Sequence, residues 1–323
     1  MPDPTRTSRR PVVVETTPIG ADILAALGDV EVIEIKPEQS RQELLDAAAG
    51  AVAIINPGNL PIDDALLDGS PNLKIIANVA RGFDNLPLGD LARRGIWATN
   101  VPDAFTASTA EVTIGLMLMV MRRMAEGDAY VRRGAWDRFV PGEWDGHSLV
   151  GKTLGIVGYG LIGKAVARRA RAFDMQVIHH QRRNLPDADC PWYPLDELLA
   201  ISDVVSLHAP LDAGTIHLMN RERFAQMKPG AILINTARGK MVEEAALLEA
   251  LESGHLGGAG LDVVEFEPQV SQALRERLDI VITPHLGGGT LESRRAAQVH
   301  AVANVAAVLR GEPPGTPLNT PQP

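Results

Sequence analysis

The chain has 323 residues, of which 45% are hydrophobic and 22% charged, enough material for two hydrophobic cores and so for two domains. A formal net charge of -9, with no basic stretch long enough to follow a phosphate backbone, argues against nucleic acid as a partner. The single cysteine, Cys190, permits neither an internal disulfide nor a cysteine metal cluster; it reads as a small buried or surface thiol and fits a reducing cytoplasm.

The opening residues MPDPTRTSRR are polar and lack an apolar run, so they read as a frayed tail and not as a signal peptide. From Pro11 to Val101, short β-rich runs (VVVETTP, VEVIEI, AVAIIN, LKIIANV, IWATNV) alternate with helical stretches such as SRQELLDAAAG and PLGDLARRG. That rhythm predicts a parallel α/β sheet. Ser108 to Met124 has helical composition, with Ser108 or Thr109 as N-cap and Glu111 near the first turn; it is expected to carry the chain into a second domain. Its most apolar part, Val112 to Met121, runs into Arg122 and Arg123 and is well short of the roughly 20 residues of a membrane span. A second strand series follows: LGIVGYG, QVIHHQ, VVSLHAP, AILINTAR, GGAGLDVV and IVITPH. Glu292 to Leu309 is again helical, with Arg294, Arg295 and Arg310 on its polar face, and is expected to return to the first domain. The fold class is therefore α/β, with two doubly wound parallel-sheet domains, residues 1–104 with 291–323 and residues 105–290.

Gly158-Tyr159-Gly160-Leu161-Ile162-Gly163 fits G-x-G-x-x-G between the strand LGIV and the helical run KAVARRARAF. Gly158 permits a tight turn, Gly160 lets the backbone approach a pyrophosphate, and Gly163 lets helix and strand pack closely, leaving free N–H groups and a helix dipole for phosphate. An NAD site usually has an acid about 20 residues on, at the end of the second strand, for the ribose 2′-hydroxyl. Here Gln181 stands there, followed by Arg182 and Arg183. A guanidinium fork binds a 2′-phosphate, so NADP is the expected cofactor; NAD remains open if the two arginines are only a solvated pair.

Three polar segments end predicted strands: Arg238 in INTARG, Asp262 and Glu267 in LDVVEFEP, and His285 in ITPHLGG. Strand carboxyl ends form the ligand crevice of open parallel sheets, so these groups are expected to converge on the nicotinamide. Reduction of a carbonyl needs a cation to bind the substrate carboxylate and polarise C=O, and an acid to protonate the alkoxide. Arg238 suits the first role and His285 the second, with Glu267 raising the imidazole pKa. His179 and His180 point to opposite faces of one strand and cannot jointly grip a metal from it, and neither G-x-S-x-G nor H-E-x-x-H occurs.

With these segments in place, GYGLIGKAVARRARAFDM, NTARGKMVEEAALLEAL, GAGLDVVEFEP and TPHLGGGTLESR resemble the D-isomer-specific 2-hydroxyacid dehydrogenases across nearly the whole chain. The resemblance implies a Rossmann cofactor domain inserted in a flavodoxin-like substrate domain. It implies reduction of a small 2-keto acid, with Arg238 binding substrate, Glu267 orienting and tuning, and His285 transferring the proton and also contacting substrate. It places Thr109, the loop of Gly158, Gly160, Leu161, Ile162 and Gly163, the Gln181, Arg182 and Arg183 segment, His208, Ala209, Pro210, Thr215, Thr236, Ala237, Asp262 and Gly287 along the cofactor. It assigns the substrate carboxylate to the amides of Arg81 and Gly82 in VARGFDN. The basic second-strand end of HHQRRN is similar to the glyoxylate and hydroxypyruvate reductases of the family. The family also implies a homodimer through the linking helix and the Trp136 to Trp144 loop, whose exposed aromatics need cover. Two other readings stay open: Arg81 together with VPDAFTASTAEVTIGLMLMVMRRM also resembles phosphite dehydrogenase, and some relatives of this fold are cofactor-sensing regulatory proteins.

Overall fold

The computed structural model describes residues 10–183 and 189–322; the polar tail up to residue 9 and Asn184 of the HHQRRN segment lie outside them. The chain divides into two compact units, Met1–Phe105 with Thr290–Pro323, and Thr106–Gly289. In the first, β1 (Val12–Glu15), α1 (Ala21–Leu24), β2 (Glu31–Glu34), α2 (Arg41–Ala48), β3 (Ala51–Asn56), α3 (Asp64–Asp68), β4 (Ile75–Asn78), α4 (Leu88–Arg93) and β5 (Trp97–Thr99) alternate. The strands pair in parallel in the order β2-β1-β3-β4-β5. Consecutive residues face opposite sides, so Val13, Ile55 and Ile75 join one core, while Val14, Ile54 and Ile76 join the other. Helices over the sheet start where the sequence supplies caps. Ser40 and Glu43 form a reciprocal capping box at α2, and Asp63 accepts from Leu66 N at α3. Gly95, at φ 74°, follows the end of α4 and turns the chain into β5.

The second unit opens with α5 (Thr106–Met121) and α6 (Met124–Arg132), then runs β6 (Thr153–Val157), α7 (Leu161–Arg171), β7 (Gln176–His180), α8 (Leu195–Ile201), β8 (Val204–Leu207), α9 (Arg221–Gln226), β9 (Ala231–Asn235), α10 (Glu244–Glu252), β10 (Leu256–Leu261), α11 (Gln272–Arg275) and β11 (Ile280–Ile282). Its parallel sheet has the order β11-β10-β9-β8-β6-β7. All the β-rich runs of the sequence are strands, and both units are parallel α/β sheets, as the alternating pattern predicts. Leu154, Ile156 and Ile234 pack beneath α5 and α7; Val157, Leu207 and Leu233 pack on the other side with Leu198, Phe224 and Leu247.

The helix expected over Ser108 to Met124 differs at both ends. It begins at Thr106, so Ser108 and Thr109 are buried inside it and are not caps. Thr109 Oγ1 instead donates to Gly287 O at 3.1 Å. It stops at Met121 because Arg123 adopts φ 51°, fixed by its guanidinium bonds to Glu126 at 2.8 and 2.9 Å and by stacking 4.8 Å from the Trp144 ring centroid. The chain from Gly146 closes this end: His147 N donates to Met121 O at 2.7 Å. In the first unit, α12 (Leu291–Leu309), capped by Thr290, buries Ala297, Ala301, Val302 and Val305 in the core of Val13, Ile55 and Ile75. No helix of the described residues is long and apolar enough to cross a membrane.

Candidate active site

Because every strand of the second sheet runs the same way, the segments after β6, β7, β8, β9, β10 and β11 emerge on one edge. The chain leaves β6 for β7 on one side and continues to β8 on the other, so the glycine loop sits where the strand order reverses, the usual ligand position in such sheets. Gly158 has φ 99°, and a Cβ there would lie 2.5 Å from Ala209 N. A Cβ on Gly163 would lie 2.3 Å from Gly158 O. These are the close approaches the motif demands. Gly160 precedes α7 with extended backbone and no side-chain cap, so the first N–H groups of the helix stay available to an anion. The loop therefore fits a dinucleotide pyrophosphate.

Tyr159, the residue between the first two glycines, is buried and donates its hydroxyl to Asp189, which Arg171 holds through Nη1 at 2.7 Å. Its ring stacks on His179 at 4.3 Å between centroids. Burial, and then the bond to Asp189, raise the phenol far above its ordinary value, so it stays a donor. Cys190 is buried with Sγ 3.3 Å from His179 Nδ1, and burial raises its thiol. His180 faces the other way and meets Tyr193 O through Nδ1 at 2.9 Å. No group of three metal-ligating side chains gathers among the described residues.

After β7, Gln181 donates through Nε2 to Arg183 O at 2.8 Å, and its carbonyl accepts from Trp192 Nε1 at 3.0 Å. Arg182 is exposed and lies 3.2 Å from Asp212 Oδ2. After β8, His208 Nε2 lies 2.8 Å from Ser206 Oγ. In the next turn Thr215 Oγ1 donates to Pro210 O at 2.8 Å and accepts from Asp212 N at 2.7 Å, so its hydroxyl closes that turn.

The three loops after β9, β10 and β11 interlock. Asn235 donates to Arg238 O at 2.9 Å and accepts from Ala237 N at 3.0 Å, bracketing the turn that carries Thr236, Ala237 and Arg238. Thr236 Oγ1 lies 3.0 Å from Thr113 Oγ1 of α5. A Cβ on Gly239 would lie 1.8 Å from Val264 O, so only glycine lets the Arg238 turn press on the segment leading to Glu267. Asp262 is buried, and its carboxylate accepts from Leu286 N at 2.6 Å, Gly287 N at 2.7 Å and Thr283 Oγ1 at 2.6 Å. His285 sits within that turn at φ 54°. Gly287 has no room for a larger residue without moving Asp262 Oδ2 and Thr109, which a Cβ would approach to 3.2 and 3.3 Å.

His285 Nδ1 lies 3.3 Å from Glu267 Oε1. The bond to Glu267, backed by that carboxylate and then by Asp262, raises the imidazole above its ordinary 6.5 against burial and the Arg238 charge. Glu267 responds in reverse: burial pushes its carboxyl up, but the bond and charge of His285, with Arg238, hold it below its ordinary value. Such a pair favours the protonated imidazole, with the Arg238 charge opposing it. In the first unit, Arg81 and Gly82 form a loop whose carbonyls accept from Asn100 Nδ2 at 2.6 Å and Asn78 Nδ2 at 3.1 Å, while Arg81 donates to Pro102 O.

The long-range partners were not legible beforehand. Asp189, Arg171 and Asp212 carry no motif signal, and Tyr159 was hidden as an unspecified residue of the glycine motif.

Residues 114–287 match the family described as D-isomer specific 2-hydroxyacid dehydrogenase, NAD binding domain. A glyoxylate reductase of Pyrococcus furiosus is 40% identical over 308 residues, which cover 93% of this chain and 92% of the relative. Among solved structures, a protein of Thermus thermophilus aligns with TM-score 0.91 and 42% identity over 95% of this chain and 99% of its own. An NADPH-dependent glyoxylate/hydroxypyruvate reductase of Sinorhizobium meliloti, in complex with NADP and malonate, aligns with TM-score 0.86 and 30% identity over 96% and 97%. With the family model matching residues 114–287 and this likeness along almost its full length, the chain belongs to the D-isomer specific 2-hydroxyacid dehydrogenases.

Proposed function

We propose that this enzyme reduces a small 2-keto acid of the glyoxylate or hydroxypyruvate type to the D-2-hydroxy acid, with NADPH as the preferred reductant. The observation that carries the reading is the 3.3 Å pair of His285 Nδ1 and Glu267 Oε1, in the same unit as the glycine loop. The nicotinamide, when bound, supplies the hydride. Arg238 binds the substrate carboxylate and polarises the carbonyl, His285 gives its proton to the nascent alkoxide, and Glu267 keeps that proton available at neutral pH. Asp262 acts on His285 through the turn it holds. For the substrate carboxylate we also assign the Arg81 and Gly82 amides, whose carbonyls Asn100 and Asn78 engage. Arg182 and Arg183, with no acid at the end of β7, support NADPH. Relatives named glyoxylate reductase and the NADP complex of a glyoxylate/hydroxypyruvate reductase support the substrate and cofactor classes.

The test follows NADPH and NADH oxidation separately with glyoxylate, hydroxypyruvate, pyruvate and a bulky aryl pyruvate, alongside NAD(P) reduction with phosphite. Keto-acid turnover with an NADPH preference is the expected result. His285→Ala should lower kcat by about 100-fold or more with cofactor affinity nearly unchanged. Near-normal turnover of that variant removes His285 from the role of acid; activity with phosphite alone replaces the keto-acid reading. We further propose a homodimer, for which Trp136 and Phe139, 58% and 80% exposed, supply apolar surface; a light-scattering mass of a single 34.6 kDa chain contradicts it.

A further inference from the structure

The loop after β8 brings a carboxylate to the arginines that follow β7. Asp212 divides its two oxygens between separate tasks. Oδ1 accepts from Gly214 N at 2.9 Å and closes the turn that Thr215 completes, whereas Oδ2 faces Arg182 Nη1 at 3.2 Å. The Arg182 side chain is 79% exposed and that of Asp212 is 37% exposed, so this pair contributes little to folding. Arg182 immediately follows Gln181, at the strand end where a ribose 2′-substituent is read. An incoming 2′-phosphate would have to share Arg182 with Asp212 and would be repelled by it. A neutral 2′-hydroxyl meets no such conflict. Arg183 carries the second guanidinium, and among the described residues no carboxylate is recorded against it.

We propose that Asp212 is a specificity-determining residue, a built-in rival anion that occupies Arg182 and narrows the preference for NADPH over NADH. This rests on the assignment of Arg182 and Arg183 to the 2′-phosphate. The consequence is an enzyme whose cofactor choice is set by the balance of these arginines against Asp212, not by the cations alone. The balance is exposed and therefore sensitive to salt.

Fluorescence titration of the full chain with NADPH and with NADH, at low and at high salt, reads both affinities without turnover. Asp212→Asn keeps Oδ1 as acceptor for the turn and removes only the charge; it should tighten NADPH by about three- to tenfold, with NADH shifted less than twofold, and the gain should shrink at high salt. Asp212→Glu, which keeps the charge, should not reproduce the gain. An unchanged or weaker NADPH affinity in Asp212→Asn, or an equal gain for NADH, overturns the proposal. Arg182→Gln/Arg183→Gln separates the two levels. If that double variant weakens NADPH selectively while Asp212→Asn has no effect, only the role of Asp212 falls. If it leaves NADPH binding unchanged, the 2′-phosphate assignment falls and the role of Asp212 with it.

Discussion

The His285 imidazole is biased toward its protonated form chiefly by one neighbour. The bond to Glu267 is the largest cause of its raised pKa, and burial and Arg238 oppose it. In the proposed reduction the protonated ring is the acid, so kcat/KM for a keto acid should stay high through pH 6.5 and fall only as pH passes a value above it. Glu267→Gln removes the two raising causes that come from Glu267 and leaves only the smaller one, the Asp262 charge, against burial and Arg238. The falling limb should move to lower pH in a profile measured between pH 5 and 9. An unmoved limb means that some other group titrates. Asp262 is a different kind of residue: buried, with its carboxylate engaged by three donors of the 283–287 turn, it sets where His285 stands.

At the scale of elements, the glycine loop works because β6 and α7 approach closely. Gly163→Ala would put a methyl 2.3 Å from Gly158 O, a backbone atom that cannot rotate away, and 3.2 Å from Ile156 Cγ2. Helix and strand must separate, at a cost on the order of 2 kcal/mol, and the N–H groups at the head of α7 must shift with them. We expect a lower melting temperature together with weaker cofactor binding. Unchanged values in both measurements would show that α7 has slack. The Arg238 turn has the same character, since a Cβ on Gly239 would lie 1.8 Å from Val264 O and would force the β9 and β10 loops apart.

For the whole molecule, the carboxylate of Glu15 bears on stability against the acid balance of the chain. Glu15 ends β1, is 5% exposed, and its Oε2 has no hydrogen-bond partner. Burial, and then the charge of Glu34, push its carboxyl up to about 7 from the ordinary 4.5. Between those values the folded chain keeps a proton that the unfolded chain has released, so stability falls as pH rises through this window and the full penalty applies above about 7. Glu15→Gln should therefore stabilise the protein at pH 8 by on the order of 2 kcal/mol and change little at pH 4.5. Thermal denaturation at the two pH values checks the sign; an equal shift at both would assign the effect to packing.

How much could be read beforehand follows the range of each interaction. Period-two apolar runs, the G-x-G-x-x-G spacing and polar residues at strand ends are local. They determined the two parallel sheets, the edge on which the polar groups emerge, and Arg238, Glu267 and His285 as the chemical candidates. The helix after residue 105 was legible as a helix, but not its boundaries. Its end is set by Arg123 reaching Trp144, and the predicted cap at Thr109 is taken by Gly287, both far along the chain. Likewise Tyr159 with Asp189, Asp262 with the His285 turn, and Arg182 with Asp212 join residues 20 to 30 positions apart. Spacing along a chain does not specify which loops at a sheet edge will touch. Only the folded strand order, which places β8 between β6 and β9, brought those side chains within reach.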